Sequence, residues 1–457
     1  MNLEPLEKKK QGRGRAFSLV GGAFAVLLLA AAVLGWFLLE RESPAAAILG
    51  DVGHLGALKE LTLTASDGKS GLRSIAVAVR QNNRQTPLFA REFPRQGFLF
   101  GAGPAAREES LKLDSREAGL VDGPAELLVT VRDFSWWNWL AGNLTEVVYP
   151  VVVDNRPPVI SIVESPPYVK AGGAGVVVYT LNEPVARHGV MLGDLFHPGH
   201  PLPARGPGVH VAFFGLPFDM KSLAAVHVTA VDPAGNEGKA SFAVHLQERR
   251  IVRDQITVSD GFLAAKLPEF AAYYPDLTGS PVEQYLRINN EIRHANNRRI
   301  QEVCANSAPE RLWDGRFGRM ARSSPRAGFA DHRSYLYDGK VIDEQVHLGV
   351  DLASVQHAEI EAANRGRVVF ADYLGIYGNM VILDHGQGLF SLYSHLSSIN
   401  VAVGDEVNMG AVLGRSGLSG MAGGDHLHFS MLVNGVFVDP IQWWDESWLA
   451  INIPGSL

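Results

Sequence analysis

The chain reads as a mainly β protein of several domains, and three observations carry that reading. At 457 residues it is too long for one ordinary domain; length alone suggests about three. From about residue 50 to residue 246 it is a succession of short alternating runs broken by Gly, Pro, Asn and Asp, the text of strands and turns. Near the C-terminus, His426-Leu427-His428-Phe429 alternates in the same way, so that a strand there presents two imidazoles on one face. A hydrophobic fraction of 46% and a charged fraction of 19% exclude a largely disordered chain.

Taken in order, residues 1–16 form a polar tail containing Lys8, Lys9, Lys10, Arg13 and Arg15, followed by an uncharged apolar run over residues 17–39. As a helix this run measures about 34 Å, against about 30 Å for a hydrocarbon core. The expectation is one transmembrane helix in the cytoplasmic (inner) membrane, its basic tail on the cytoplasmic side and all that follows outside. A cleaved signal peptide ending near Ala45-Ala46-Ala47 is the competing reading, but the apolar run exceeds the roughly 7–15 residues such peptides use.

Residues 50–155 and 156–248 are expected to be two β modules. In Ser74-Ile75-Ala76-Val77-Ala78-Val79-Arg80, Ile75, Val77 and Val79 share one face. Val129-Thr130-Val131-Arg132-Asp133 aligns with Val228-Thr229-Ala230-Val231-Asp232, 99 residues later. That offset is the size of an immunoglobulin-like sandwich, about 100 residues, with Pro157-Pro158 as the linker. Trp136, Trp137 and Trp139 interrupt the first copy and are read as packing residues rather than a glycan-stacking surface. The modules are spacers or docking surfaces for envelope protein partners.

Residues 249–327 loosen into helical text, with Val282, Leu286 and Ile292 as its apolar positions, and make a helical connector that packs on or leads into the last domain. It is the more basic segment: residues 249–330 carry 13 Arg or Lys against 9 Asp or Glu, whereas residues 331–445 carry 5 against 14. Neither balance makes the dense basic face of a nucleic-acid binder. The single cysteine, Cys304, rules out an intramolecular disulfide and a cysteine-based metal cluster, and is read as a buried or incidental thiol.

The chemistry lies in residues 328–445. Four elements follow one another: His347-Leu348-Gly349-Val350-Asp351, Tyr393-Ser394-His395-Leu396-Ser397, a Gly-rich turn over residues 414–424, and His426-Leu427-His428-Phe429. His347 and Asp351 with one strand histidine would give three N/O ligands and an open position, the pattern of a catalytic rather than a structural zinc site.

The order H-x-x-x-D, H-L, H-x-H resembles the M23, or lysostaphin/LytM-type, family of zinc endopeptidases. Intervening text agrees, including residues 377–386 and 403–407 and Asp439-Pro440. The resemblance implies a β-rich peptidase fold, Zn²⁺ held by His347, Asp351 and His428, and His395 and His426 as the uncoordinated pair that handles protons and developing charge. It also implies peptidoglycan stems or cross-links as substrate, cut by metal-activated water. Relatives that act only as regulators of cell-wall amidases typically lack some of these five residues, all present here. His357 and His385 fall where the family places no ligand and are read as structural or surface. The bond cut, the separate roles of His395 and His426, and any latency are not legible. The alternatives are a non-catalytic LytM-type regulator or envelope scaffold, and an enzyme acting on secreted proteins.

Overall fold

The computed structural model describes residues 13–97, 102–223 and 226–453. It is mainly β and divides into two compact units, one of residues 1–157 with the turn Asp232–Asn236, the other of Pro158–Val231 and Glu237–Leu457.

Two corrections concern the N-terminus. The helix Arg13–Leu38 forms where the apolar run predicts it. Among the described residues no helix is long and apolar enough to cross a membrane, which overturns the expected single-pass anchor and the inner-membrane location built on it. Lys8, Lys9 and Lys10 of the expected tail lie outside the described residues.

In the first unit a three-stranded sheet (Ala45–Leu49, Lys59–Ser66, Ala106–Leu113) faces a five-stranded one whose long members are Leu72–Gln81, Gly123–Asp133 and Leu144–Val153. Their inward residues make one core: Leu61 and Leu63 from the first sheet meet Ile75, Val77, Val79, Leu127, Val129 and Val131 from the second. The alternation read at 75, 77 and 79 is thus the buried face. Trp139 departs from the packing expected of it, being 98% exposed with a left-handed φ of 58°.

The second unit begins with two four-stranded sheets. Ala174–Leu181 and Val209–Gly215 are neighbours in one of them, and Arg187–Leu192 and Val226–Val231 in the other. Val177, Tyr179, Ala212 and Phe214 pack into the space between these sheets. The alternate residues Val176, Val178, Val211 and Phe213 belong instead to the large C-terminal core with Trp313, Phe317 and Trp443. Strands buried on both faces carry apolar runs rather than alternation, which is why Val176-Val177-Val178-Tyr179 is apolar throughout.

The connector is helical over Asp260–Tyr273, Pro281–Arg287 and Arg293–Val303. Ser259 and Ser280 cap the first two helices, the second through a full capping box with Glu283. The sequence reading missed two strands here: Ser324–Ala327, which pairs with Val350–Ala353, and Arg253–Thr257, which pairs in parallel with His332–Tyr337 and so joins the connector to the last domain. Cys304 is buried.

The C-terminal sheet sets the site. Val350–Ala353, Leu427–Val433 and Leu389–Ile399 are adjacent, antiparallel strands. Their register puts Asp351 opposite His428 and His428 opposite Ser394, and directly opposed residues share a face.

Candidate functional site

Three electron-rich atoms converge on that face. Asp351 Oδ1 lies 3.0 Å from His347 Nε2 and 3.0 Å from His428 Nδ1, and the two ring nitrogens are 2.8 Å apart. The outer nitrogen of each ring is fixed by other groups. His347 Nδ1–H donates to the Gly328 carbonyl at 2.8 Å. His428 Nε2–H donates to Ser430 Oγ at 3.1 Å, and that hydroxyl donates to the Leu348 carbonyl at 2.8 Å. Each anchor selects the tautomer whose lone pair points inward. Two lone pairs and a carboxylate oxygen therefore face one another with no proton between them, an arrangement that calls for a cation. A tetrahedral Zn²⁺ at 2.0–2.1 Å needs ligand atoms about 3.3 Å apart, a few tenths beyond the triangle seen, and the donor set is the right kind.

His395 and His426 complete the cluster. Their ring centroids are 4.9 Å apart, and His395 is 5.8 Å from the His428 ring. His395 Nδ1–H donates to the Ser419 carbonyl at 2.9 Å and His426 Nδ1–H to the Gly424 carbonyl at 2.7 Å, so each ring turns its Nε2 away from the backbone. His426 Nε2 stands 3.5 Å from Asp351 Oδ1. Strand alternation would aim Ser394, not His395, at this face. His395 has φ 62°, in the left-handed region, and the pairing beyond it slips at Leu396/Ser398. Such a bulge re-aims a side chain, and backbone strain of this kind gathers at functional sites.

Electrostatics among these protein groups are strongly coupled. Burial pushes the Asp351 carboxyl up, but the His347 ring, with His426 and His428, holds it well below the usual carboxylate range. Burial drives the His428 imidazole down to about 4. His395 is also driven well down, first by burial and then by the neighbouring His426 and His428 rings. His426 is depressed by burial, yet Asp351 raises it above its ordinary value overall.

Three supporting residues went unread in the sequence. Arg333 Nη2 meets Asp351 Oδ2 at 2.8 Å, leaving Oδ1 for the converging centre. It comes from the strand that pairs with the connector, and nothing local in the sequence marks it. Ser430 was legible in principle, because the alternation placing His426 and His428 on one face continues to position 430. Gly349 leaves the room they need: a Cβ there would stand 2.5 Å from His428 Nε2 and 2.6 Å from Ser430 Oγ.

The Gly-rich turn holds His395 through Ser419 and is itself held by the connector, Glu269 accepting from Gly420 N at 2.6 Å. A cleft of about 670 Å³ opens over the cluster, with Ile256, Val258, Phe262 and Tyr285 of the connector on its wall and all five expected residues lining it. The two histidines set aside lie elsewhere. His385 is buried between the Arg365 carbonyl and Ser391 Oγ, both at 2.7 Å, and the His357 side chain is 54% exposed.

Residues 345–440 match the model of Peptidase family M23. The C-terminal domain is an M23 peptidase domain. The chain is 37% identical over 98 residues to the DD-carboxypeptidase/endopeptidase Mpg of Neisseria meningitidis, covering 21% of this chain and 23% of that protein. It is 36% identical over 95 residues to the murein hydrolase activator EnvC of Escherichia coli, with 21% and 23% covered. The match thus spans about a quarter of these relatives' length. Among solved structures, the catalytic domain of lysostaphin from Staphylococcus simulans aligns at 28% identity over 27% of this chain and 94% of that one, with a TM-score of 0.24.

Proposed function

We propose that the M23 domain is a zinc metalloendopeptidase that hydrolyses peptide bonds in peptidoglycan stems or cross-links. The observation that carries this reading is the inward convergence of lone pairs from His347 and His428 on Asp351 Oδ1, beside two histidines held to backbone carbonyls through Nδ1. His347, Asp351 and His428 would hold the metal. When bound, Zn²⁺ supplies Lewis acidity toward a water and the scissile carbonyl.

The chain's own residues do the rest. Arg333 and the outer hydrogen bonds of both ring ligands keep the donor atoms in place before substrate arrives, so little reorganisation accompanies reaction. His395 and His426 have their Nδ1–H groups tied to backbone carbonyls, so proton exchange at either ring is confined to Nε2. The pair can accept the water proton, return it to the leaving amine, and donate an N–H to the developing oxyanion. The connector's apolar wall gives a peptide strand a surface to lie on.

The test is release of soluble peptides from purified cross-linked peptidoglycan by the purified chain, with metal content measured, beside His426→Ala. Release that chelation abolishes and the variant lacks, with new amino termini inside the stems, is the expected result. The likeness to EnvC, a murein hydrolase activator, supports a second reading: the domain regulates a wall amidase without turnover of its own. A folded chain with one zinc that releases nothing alone but stimulates an amidase would select it.

A further inference from the structure

A second group of donors, far from this chemistry in sequence, lies wholly within the first unit. Glu40, Asp67 and Asp133 each offer a carboxylate oxygen, and these atoms lie within 4.8 Å of one another. The three residues are 3%, 5% and 0% exposed. They come from separate places: Glu40 just beyond the Arg13–Leu38 helix, Asp67 just after the Lys59–Ser66 strand, and Asp133 at the end of Gly123–Asp133.

Neutral donors take up part of this charge. Ser70 N–H donates to Glu40 Oε2 at 3.0 Å and Gly71 N–H to Asp67 Oδ2 at 2.5 Å. Asn143 donates to Asp133 Oδ1 from its backbone at 2.7 Å and to Oδ2 from its side chain at 2.8 Å. Direct ion pairing is missing: among the described residues none of the three carboxylates has a Lys, Arg or His within ion-pair distance, and the neighbouring Lys69 pairs with Glu42 at 3.0 Å and acts on Glu40 and Asp67 only from farther away.

A separate observation points to a ligand. Glu40 Oε1 is buried and has no hydrogen-bond partner. Buried carboxylate oxygens are costly unless paired, and this one belongs to a residue already grouped with two other carboxylates.

The donors are all oxygen, with no imidazole or thiolate among them, which favours a hard cation over zinc or copper. Ca²⁺ binds oxygens at 2.3–2.6 Å, so atoms on opposite sides of it are up to about 5 Å apart. One carboxylate oxygen from each of the three residues lies within that span of the other two. Mg²⁺, at 2.0–2.1 Å and reluctant to shed its waters, suits a dry all-protein cage less well.

We propose that Glu40, Asp67 and Asp133 form a Ca²⁺ site that clips the segment leaving the Arg13–Leu38 helix onto the first β module. The clip has a neutral half already, because the Glu40 carbonyl accepts from Ser135 Oγ at 2.8 Å and from Asn143 Nδ2 at 3.0 Å. The cation ties in the Glu40 carboxylate as well and relieves the repulsion that would otherwise loosen it.

The experiment uses the full chain with its catalytic metal in place, exchanged into calcium-free buffer. Ca²⁺ is titrated calorimetrically, and limited proteolysis across residues 39–44 is timed with and without it. Expected are one Ca²⁺ per chain, cleavage at least about ten-fold slower with Ca²⁺, and at least about ten-fold weaker binding in Glu40→Gln with an unchanged circular dichroism spectrum, while Glu42→Gln binds as the parent does. Asp67→Asn serves as a second variant, whereas Asp133 is left alone because it also holds the Asn143 turn. Absence of uptake by the folded chain at about 5 mM Ca²⁺, above the 10⁻⁴–10⁻³ M range of weak calcium modules, overturns the proposal. So do uptake undiminished in both variants, and binding of Mg²⁺ as tight as that of Ca²⁺.

Discussion

Asp351 and His428 face each other across two antiparallel strands, Oδ1 3.0 Å from Nδ1, and Arg333 grips the other carboxylate oxygen at 2.8 Å. The register of one strand pair thus fixes two of the proposed ligands, and a third strand element decides which oxygen is offered. Arg333→Gln should lower zinc affinity about 10–100-fold, the usual cost of losing such an outer partner, while the metal-loaded chain keeps its fold. Competition with a chromophoric chelator measures this. Unchanged affinity would mean that Asp351 is oriented without Arg333.

Gly349 makes a sharper demand. A methyl group at that position meets His428 Nε2 and Ser430 Oγ well inside contact distance, and both atoms belong to the hydrogen-bond chain that sets the His428 tautomer. Gly349→Ala should therefore abolish stoichiometric zinc and peptidoglycan release together, whereas Ser430→Ala, which removes the acceptor without adding bulk, should weaken zinc about ten-fold. Zinc content after gel filtration separates the two. Equal zinc in Gly349→Ala and parent would show that the strand shifts to admit the methyl group.

How much of this was legible depends on whether the information was local. His426 and His428 sit two apart, and His347 and Asp351 four apart, so spacing alone brought both pairs into view. Ile75, Val77 and Val79 declared their buried face in the same way. His395 was flagged by motif resemblance, yet its arrival at the cluster depends on a left-handed residue that strand alternation does not foresee. Arg333 was invisible because its contact with Asp351 depends on a strand pairing with the connector, a long-range event without a local pattern. The N-terminal run predicts a helix, which forms, but an apolar run does not by itself establish a membrane span.

Phe213 tests the two-faced strands. It is fully buried in the C-terminal core against Trp313 and Trp443, while its neighbours Ala212 and Phe214 fill the space between the two preceding sheets. Phe213→Ala should cost about 3–5 kcal/mol. Because one strand serves both cores, the second β module and the M23 domain should lose stability in a single shifted transition. Calorimetry in which only one of two resolved transitions moves would show the cores to be independent.

His385 gives a pH dependence separate from the metal cluster. It is fully buried between the Arg365 carbonyl and Ser391 Oγ, and burial lowers its imidazole to about 4, against about 6.5 in an unfolded chain. The folded value is the lower one, so between the two the unfolded chain binds the extra proton and stability rises with pH. This residue's contribution is complete above about 6.5, declines as pH falls, and is gone below about 4. A difference of about 2.5 units corresponds to about 3 kcal/mol. Metal release at acid pH will also destabilise the chain, but it does so equally in a variant whose cluster is intact. Denaturant unfolding of the parent and of His385→Gln at pH 7.5 and pH 4.5 should therefore show the variant less stable at the higher pH, yet losing about 2–3 kcal/mol less on acidification. Identical losses in the two proteins would mean that His385 does not stay neutral in the fold.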